Sequence, residues 1–107
     1  MGKKNIPKWY GISKHNKQII TEYSKYRLKT LKKDEETVTG NQKAIRSLAR
    51  YLKDIKLEDI TEKSSKEYFT NLPISKASRD DYFTSINCFY RWLYSIPKFK
   101  RRAEFLF

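Results

Sequence analysis

The side chains best suited to chemistry in this sequence are arginine, asparagine, lysine and hydroxyl groups that recur at helical spacing in two segments. If each segment is a helix with its apolar stripe turned inward, these polar groups share the opposite face. Arginine pairs bidentately with guanine and asparagine with adenine, whereas serine, threonine and lysine hold phosphates or bases. The spacing therefore predicts nucleic-acid contacts from two helix faces: Lys43, Arg46, Ser47 and Arg50 on the first, and Lys76, Thr84, Asn87 and Arg91 on the second.

Each of these faces also fits an ordinary solvated helix surface, where the same residue types are common. Two acids that would repel phosphate, Asp54 and Asp80, fall on the same faces. For either helix alone, the solvated surface is the better interpretation. Two such faces in one chain, together with a basic N-terminal arm, favour the binding interpretation.

Residues for catalysis or metal binding are sparse. His15 is the only histidine, and no group of cysteine and histidine has the spacing of metal ligands. The three glycines are too scattered to form a phosphate-binding loop. Cys88 is the only cysteine, so it has no internal disulfide partner, which suits a reducing, intracellular setting. We therefore expect no enzymatic activity, cofactor or metal in this chain.

The net charge of +12 is concentrated at the two ends of the sequence. Residues 1–33 contain ten basic side chains and one acid, residues 34–97 contain ten of each, and residues 98–107 contain four basic side chains and one acid. A surplus of this size indicates a polyanionic partner, which could be nucleic acid or an anionic membrane surface. The membrane is the weaker alternative because the apolar stripe of the first helix is needed for the core.

Four segments have the apolar period of a helix and none has clean strand alternation, so the sequence predicts an all-α fold. The first helix covers residues 15–33, with Ser13 as its candidate N-cap and Tyr23 on its inward side. Leu28 falls on the polar side and does not fit that stripe. Residues 34–36, Asp-Glu-Glu, are then expected to form a polar connection.

The other three helices are predicted at residues 40–54 after Thr39, 62–71 after Thr61, and 76–95 after Ser75. The start of the second helix depends on Thr39 and Gln42, whose spacing matches a capping box. Leu57 and Ile60 lie in the short connection before the third helix, and we expect both to fill the core.

The 107 residues fit one domain with flanking segments. Residues 1–14 lack a helical period and predict a basic arm, which Trp9, Tyr10 and Ile12 can hold against a core. Residues 15–96 form the predicted helical binding domain. Residues 97–107 are interpreted as a basic tail or an interdomain linker.

Residues 78–94, SRDDYFTSINCFYRWLY, resemble the last helix of the N-terminal core-binding domain of tyrosine recombinases, the family of phage integrases and Xer-like enzymes. That helix has Ser or Thr near its start, then two aromatics, a basic residue, Trp and Leu, as in residues 89–93, FYRWL. Residues 39–52 are similar to the family's second helix. Residues 57–61, LEDIT, are similar to the segment that leads into its third helix. The resemblance covers residues 15–95.

This resemblance implies a compact four-to-five-helix bundle of the SAM-like type, which clamps one side of duplex DNA while a catalytic domain clamps the other. In the family, the second and fourth helices lie toward adjacent major grooves. Carried over to this sequence, the strongest DNA contacts are Lys43, Arg46, Arg50, Asn87 and Arg91, followed by Ser47, Lys76 and Thr84.

The family's catalytic half, with its tyrosine nucleophile and His-x-x-Arg pair, has no counterpart in this sequence. We therefore expect the DNA-binding part of a recombinase that acts in DNA integration. Its expected partners are duplex DNA, the catalytic domain of the parent enzyme and a second copy in a synaptic complex, with no membrane. The expected location is cytoplasmic, at the nucleoid of a prokaryotic or virus-infected cell.

Two other functions remain open on the sequence. A basic helical RNA-binding protein could stack unpaired bases on Trp9 and Tyr10. A protein-interaction module could instead dock through the apolar residues 105–107, Phe-Leu-Phe.

Overall fold

The computed structural model describes residues 8–53 and 55–97, and these residues form α-helices and short helical turns with no strand among them. The predicted all-α class is thus confirmed. The elements are α1 (Lys14–Lys25), a π-helical turn that continues it (Tyr26–Thr30), α2 (Glu35–Leu52), a 3-10 turn (Leu57–Asp59), α3 (Glu62–Asn71) and α4 (Lys76–Leu93).

Three predicted N-caps are confirmed by their hydrogen bonds. The side-chain oxygens of Ser13, Thr61 and Ser75 accept from the backbone N–H three residues further on, at 3.1, 3.1 and 3.2 Å. Each bond satisfies a donor that the first helical turn leaves without a partner. The bounds of α3 agree with the prediction, and α4 ends two residues earlier than expected.

The start of α2 shows that the capping-box prediction is wrong. Asp34 is the N-cap, because its Oδ1 accepts from the Thr37 N–H at 2.7 Å, and Thr39 lies inside the helix. Residues 34–36, predicted as a connection, form the cap and the first turn. Acids are stabilised there by the positive end of the helix dipole. The hydrogen bonds from Thr37 also lower the pKa of Asp34.

The C-terminal end of the first helix departs from α geometry. Its last turn, Tyr26–Thr30, is π-helical, which adds a residue to the turn and shifts the side chains that follow. Leu28, already expected on the polar side, is 37% exposed, and Leu31 beyond the turn is 43% exposed. Lys32 then adopts a positive φ of 53°, and the chain turns toward α2.

The core lies where α1, α2 and α4 meet, and α3 packs against α2 at one side. Each of the three central helices contributes apolar side chains that are fully buried, including Ile20, Ile45 and Phe89. Leu57 and Ile60 are also buried, so both core residues predicted from the connection are confirmed. Burial of a side chain of this size stabilises the fold by about 1.5–3 kcal/mol.

Candidate nucleic-acid interface

The outer face of α4 contains the most accessible of the predicted DNA-contact residues. At 100° per residue, its four candidates fall within an arc of about 80° on one side of the helix. Lys76, Thr84 and Arg91 are exposed, and Asn87 is half-buried. The other side of α4 faces the core and fixes the orientation of the helix. Its side chains there are all fully buried: Ile86, Phe89, Tyr90 and Leu93.

The charge of the α4 face is positive at both ends and interrupted near its first third. Asp80 is exposed within the same arc as Lys76 and Arg91. Arg79 does not neutralise it, because the Arg79 Nη2 donates to the carbonyl of Leu72 at 3.1 Å. Phosphate is therefore favoured most toward the C-terminal half of α4, where Arg91 lies.

The predicted face of α2 is partly covered by the segment that precedes α1, residues 8–12, which we call the strap. Arg46 Nη1 and Arg50 Nη2 both donate to the carbonyl of Lys8, at 3.0 and 2.6 Å. Arg50 Nε also donates to the carbonyl of Tyr10, at 3.1 Å. Two guanidinium groups that were predicted to hold phosphate thus hold backbone oxygens of the chain itself.

Ring contacts strengthen the attachment of the strap. The Arg46 guanidinium lies 5.7 Å from the ring centre of Trp9, and that of Arg50 lies 4.3 Å from the ring centre of Tyr10. Such cation–π contacts contribute about 0.5–1 kcal/mol at exposed sites. Trp9 and Ile12 pack against the core, as predicted, whereas Tyr10 is exposed and does not.

The two arginines share a neutral acceptor and have no carboxylate partner among the described residues. Partial burial, and then the neighbouring positive charge of Arg50, lower the pKa of Arg46. Arginine nevertheless stays charged at neutral pH because its ordinary pKa lies far above neutrality. The strap side of α2 therefore carries two adjacent positive charges that an anion would stabilise.

The remaining α2 candidates differ in their accessibility. Lys43 is exposed and available to a partner. Ser47 is half-buried, and its Oγ accepts from the hydroxyl of Tyr68 at 2.9 Å, so it links α2 to α3. Asp54, which was expected on the same face, lies outside the described residues.

A second basic surface, on α1, was not singled out from the sequence. Lys14, Lys17 and Lys25 line an open groove with Gln18, Thr21 and Glu22. The Lys17 ammonium lies 5.5 Å from the ring centre of Trp9, so this groove adjoins the strap. The signal was present in the sequence, because these six residues follow one another at helical spacing within residues 1–33, which contain ten basic residues and one acid.

The described residues contain no group of three or more histidine, cysteine or acidic side chains that could hold a metal ion. His15 Nε2 instead lies 2.8 Å from the buried carboxylate of Glu58. No helix in the described part of the chain is both long and apolar enough to cross a membrane.

Comparisons of the chain with models of protein families, with curated proteins and with solved structures found no match. The functional argument therefore depends on the chemistry and placement of the side chains described above.

Proposed function

We propose that this chain is a DNA-binding module that holds duplex DNA against the outer face of α4, in the manner of the core-binding domain of a tyrosine recombinase. The observation that carries the proposal is that exposed Thr84 and Arg91, with half-buried Asn87 between them, share one side of an 18-residue helix. Such a helix is about 27 Å long and fits the major groove, which is about 12 Å wide.

The distribution of charge supports the same proposal. Ten basic residues and one acid occur in residues 1–33, which include the strap and α1. Their field attracts a polyanion and accelerates its association, whereas arginine and asparagine on α4 contact base edges and phosphates. In this proposal, the reaction chemistry of recombination and integration belongs to a separate catalytic domain of the parent enzyme.

The strap changes how α2 would contribute to binding. Lys43 can reach a phosphate directly because it is exposed. Arg46 and Arg50 can bind a phosphate in two ways. They can use N–H groups that are not bonded to the strap, or they can release the carbonyls of Lys8 and Tyr10 and bind phosphate oxygens instead. We therefore propose α4 as the principal contact and α2 as the secondary one.

The RNA-binding alternative is weakened at Trp9. The cations of Lys17 and Arg46 both lie within 6 Å of its ring centre, and the side chain packs against the core. A ring held in this way is a poor platform for an unpaired base. The protein-docking alternative concerns residues 105–107, which lie outside the described residues.

The first test is a titration of the chain with blunt duplex DNA, followed by fluorescence anisotropy over a range of salt concentrations. With roughly 5–8 phosphate contacts, log K is expected to fall with log salt at a slope of about −4.5 to −7. A binding constant that does not depend on salt, or a preference for single strands over duplex, would contradict the proposal.

Arg91→Ala is expected to weaken duplex binding by about 10-fold, because an arginine contact to DNA contributes about 1–3 kcal/mol. The fold should be unchanged in far-UV circular dichroism, since Arg91 is exposed. The matched control is Lys63→Ala, which removes an exposed positive charge from α3. Equal losses in the two variants would show that only net charge matters and that α4 is not the contact.

A further inference from the structure

An open cleft of about 620 Å³ lies between the strap and the C-terminal end of α2. Its volume is within the range of small-ligand sites. Its lining, as far as the described residues go, combines one exposed aromatic ring and two cationic side chains: Tyr10, Gly11, Ile12, Ser13, Arg50 and Lys53. None of the DNA contacts proposed on α4 takes part in it.

The two sides of the cleft are held in fixed relation by Arg50. Its guanidinium uses Nε and Nη2 to bind strap carbonyls and lies 4.3 Å from the ring centre of Tyr10. Among the described residues, the hydrogen bonds of this guanidinium use only Nε and Nη2. The side chain of Tyr10 is 52% exposed, so ring surface remains open to a stacking partner.

The backbone has a positive φ at one residue on each side of the cleft. Gly11 has φ +70°, which a glycine adopts without strain, and the Ile12 N–H closes the turn onto the carbonyl of Trp9 at 3.2 Å. On the other side, Lys53 has φ 57° at the end of α2, and its exposed side chain borders the cleft.

We propose that this cleft binds one unpaired nucleotide of a nucleic-acid strand. The base stacks on the ring of Tyr10, and the phosphate lies between Arg50 and Lys53. Stacking on an aromatic ring tolerates any base, while two adjacent cationic side chains favour a phosphate. This inference rests on the proposed function, because it assumes a nucleic-acid partner, but it assigns that partner a second site for a single-stranded end or displaced nucleotide.

The test compares a blunt duplex with the same duplex carrying a single-stranded thymidine overhang of about four nucleotides. Binding of the full chain is measured by anisotropy. We expect the overhang to tighten binding by about 10-fold, which corresponds to one stacked base. A uridine ribonucleotide overhang, measured in parallel, distinguishes DNA from RNA as the source of the nucleotide. Equal affinities for blunt and both overhanging duplexes would overturn the proposal.

Substitutions in the cleft test whether the gain in affinity from the overhang arises there. Tyr10→Ala should abolish the gain from the overhang, Tyr10→Phe should retain it, and Lys53→Gln should reduce it severalfold. The matched control is Tyr51→Ala. Tyr51 is a tyrosine of α2 that is 42% exposed, but its ring packs against Tyr68 and does not line the cleft. The proposal is wrong if Tyr51→Ala removes the gain as fully as Tyr10→Ala does.

Competition with small ligands separates base stacking from anion binding. Thymidine monophosphate should suppress the gain at concentrations where inorganic phosphate does not. If thymidine monophosphate and inorganic phosphate suppress the gain in affinity equally, the base does not stack on Tyr10 and the proposal is wrong. The two proposals also fail separately: Arg91→Ala tests the blunt duplex on α4, whereas Tyr10→Ala should leave blunt-duplex binding unchanged.

Discussion

Asn16 is a fully buried amide that connects α1 to the segment leading into the 3-10 turn. Its Nδ2 donates to the carbonyl of Ile55 at 3.0 Å, and its Oδ1 accepts from the Leu57 N–H at 2.9 Å. Tyr90 then donates from its hydroxyl to the carbonyl of Leu57 at 2.7 Å, and burial raises the pKa of that hydroxyl well above its usual range. These three bonds attach the connection between α2 and α3 to α1 and α4.

Asn16→Ala should therefore destabilise the domain by about 2–4 kcal/mol, because it leaves a buried N–H and a buried carbonyl without partners. The measurement is urea unfolding followed by circular dichroism. Asn71→Ala is the control, since Asn71 is exposed on α3 and its Nδ2 bonds only to the carbonyl of Glu67 in the same helix. A loss for Asn16→Ala no larger than that for the control would show that the buried bonds contribute little.

At the scale of single elements, α2 is the helix whose start the sequence misplaced. The Thr39 and Gln42 pair has capping-box spacing, yet Thr39 is an interior residue and Gln42 Nε2 donates to Ser24 Oγ at 3.0 Å. Asp34 competes successfully because it is followed by two more acids in the first turn, which the helix dipole favours. A start of α2 at Glu35 also places Val38 within the helix, where its side chain is buried.

Asp34→Ala should lower the unfolding midpoint, because the Thr37 N–H loses its acceptor, whereas Thr39→Ala should leave it nearly unchanged. The comparison uses thermal unfolding of both variants beside the unchanged chain. A larger effect from Thr39→Ala would restore the capping box as the start of α2.

The effect of Asp34→Ala should also depend on pH. The folded-state pKa of Asp34 lies below its ordinary value of 3.8 because Thr37 hydrogen-bonds the carboxylate. A carboxyl with a lowered pKa stabilises the fold above its unfolded-state pKa, and that contribution is lost as pH falls through the folded value. The difference between the unchanged chain and the variant should therefore be full at neutral pH and shrink below about pH 4.

At the scale of the whole molecule, the strap joins the N-terminal segment to a helix that begins more than twenty residues later. Its attachment depends on Arg46 and Arg50, which meet at the carbonyl of Lys8. The consequence for function is that one predicted DNA face is partly occupied by the chain itself, while α4 remains open. The strap also creates the cleft that we propose for an unpaired nucleotide.

Replacing both arginines, as Arg46→Gln with Arg50→Gln, should release the strap and increase the rate of tryptic cleavage after Lys8 by about 10-fold or more. The reason is that a protease requires a locally unfolded segment, and the two side chains that bind the strap's backbone carbonyls are removed. Mass spectrometry of the fragments gives the rate. Arg79→Gln is the matched control, because Arg79 also binds a backbone carbonyl, that of Leu72, but at a distance from the strap. An unchanged rate in the double variant would contradict the role of the two arginines.

The sequence by itself determined the features that depend on neighbours within a few positions. Apolar spacing identified four helices and their inward stripes, and the hydroxyl caps at Ser13, Thr61 and Ser75 follow from the preference of such side chains for helix starts. The same spacing placed the α4 candidates on one side of the helix, where three of the four are exposed. These features are local because one helical turn brings residues three and four positions apart together.

Only the tertiary structure decided which polar groups are already used within the chain. Ser47 was predicted to face a partner but binds Tyr68, twenty-one positions away, and the strap meets α2 across about forty positions. Such contacts depend on how helices pack against one another, which periodicity along one helix does not specify. For this reason the sequence could propose eight contact residues, whereas the packing separated the open face of α4 from the face of α2 that the strap partly covers.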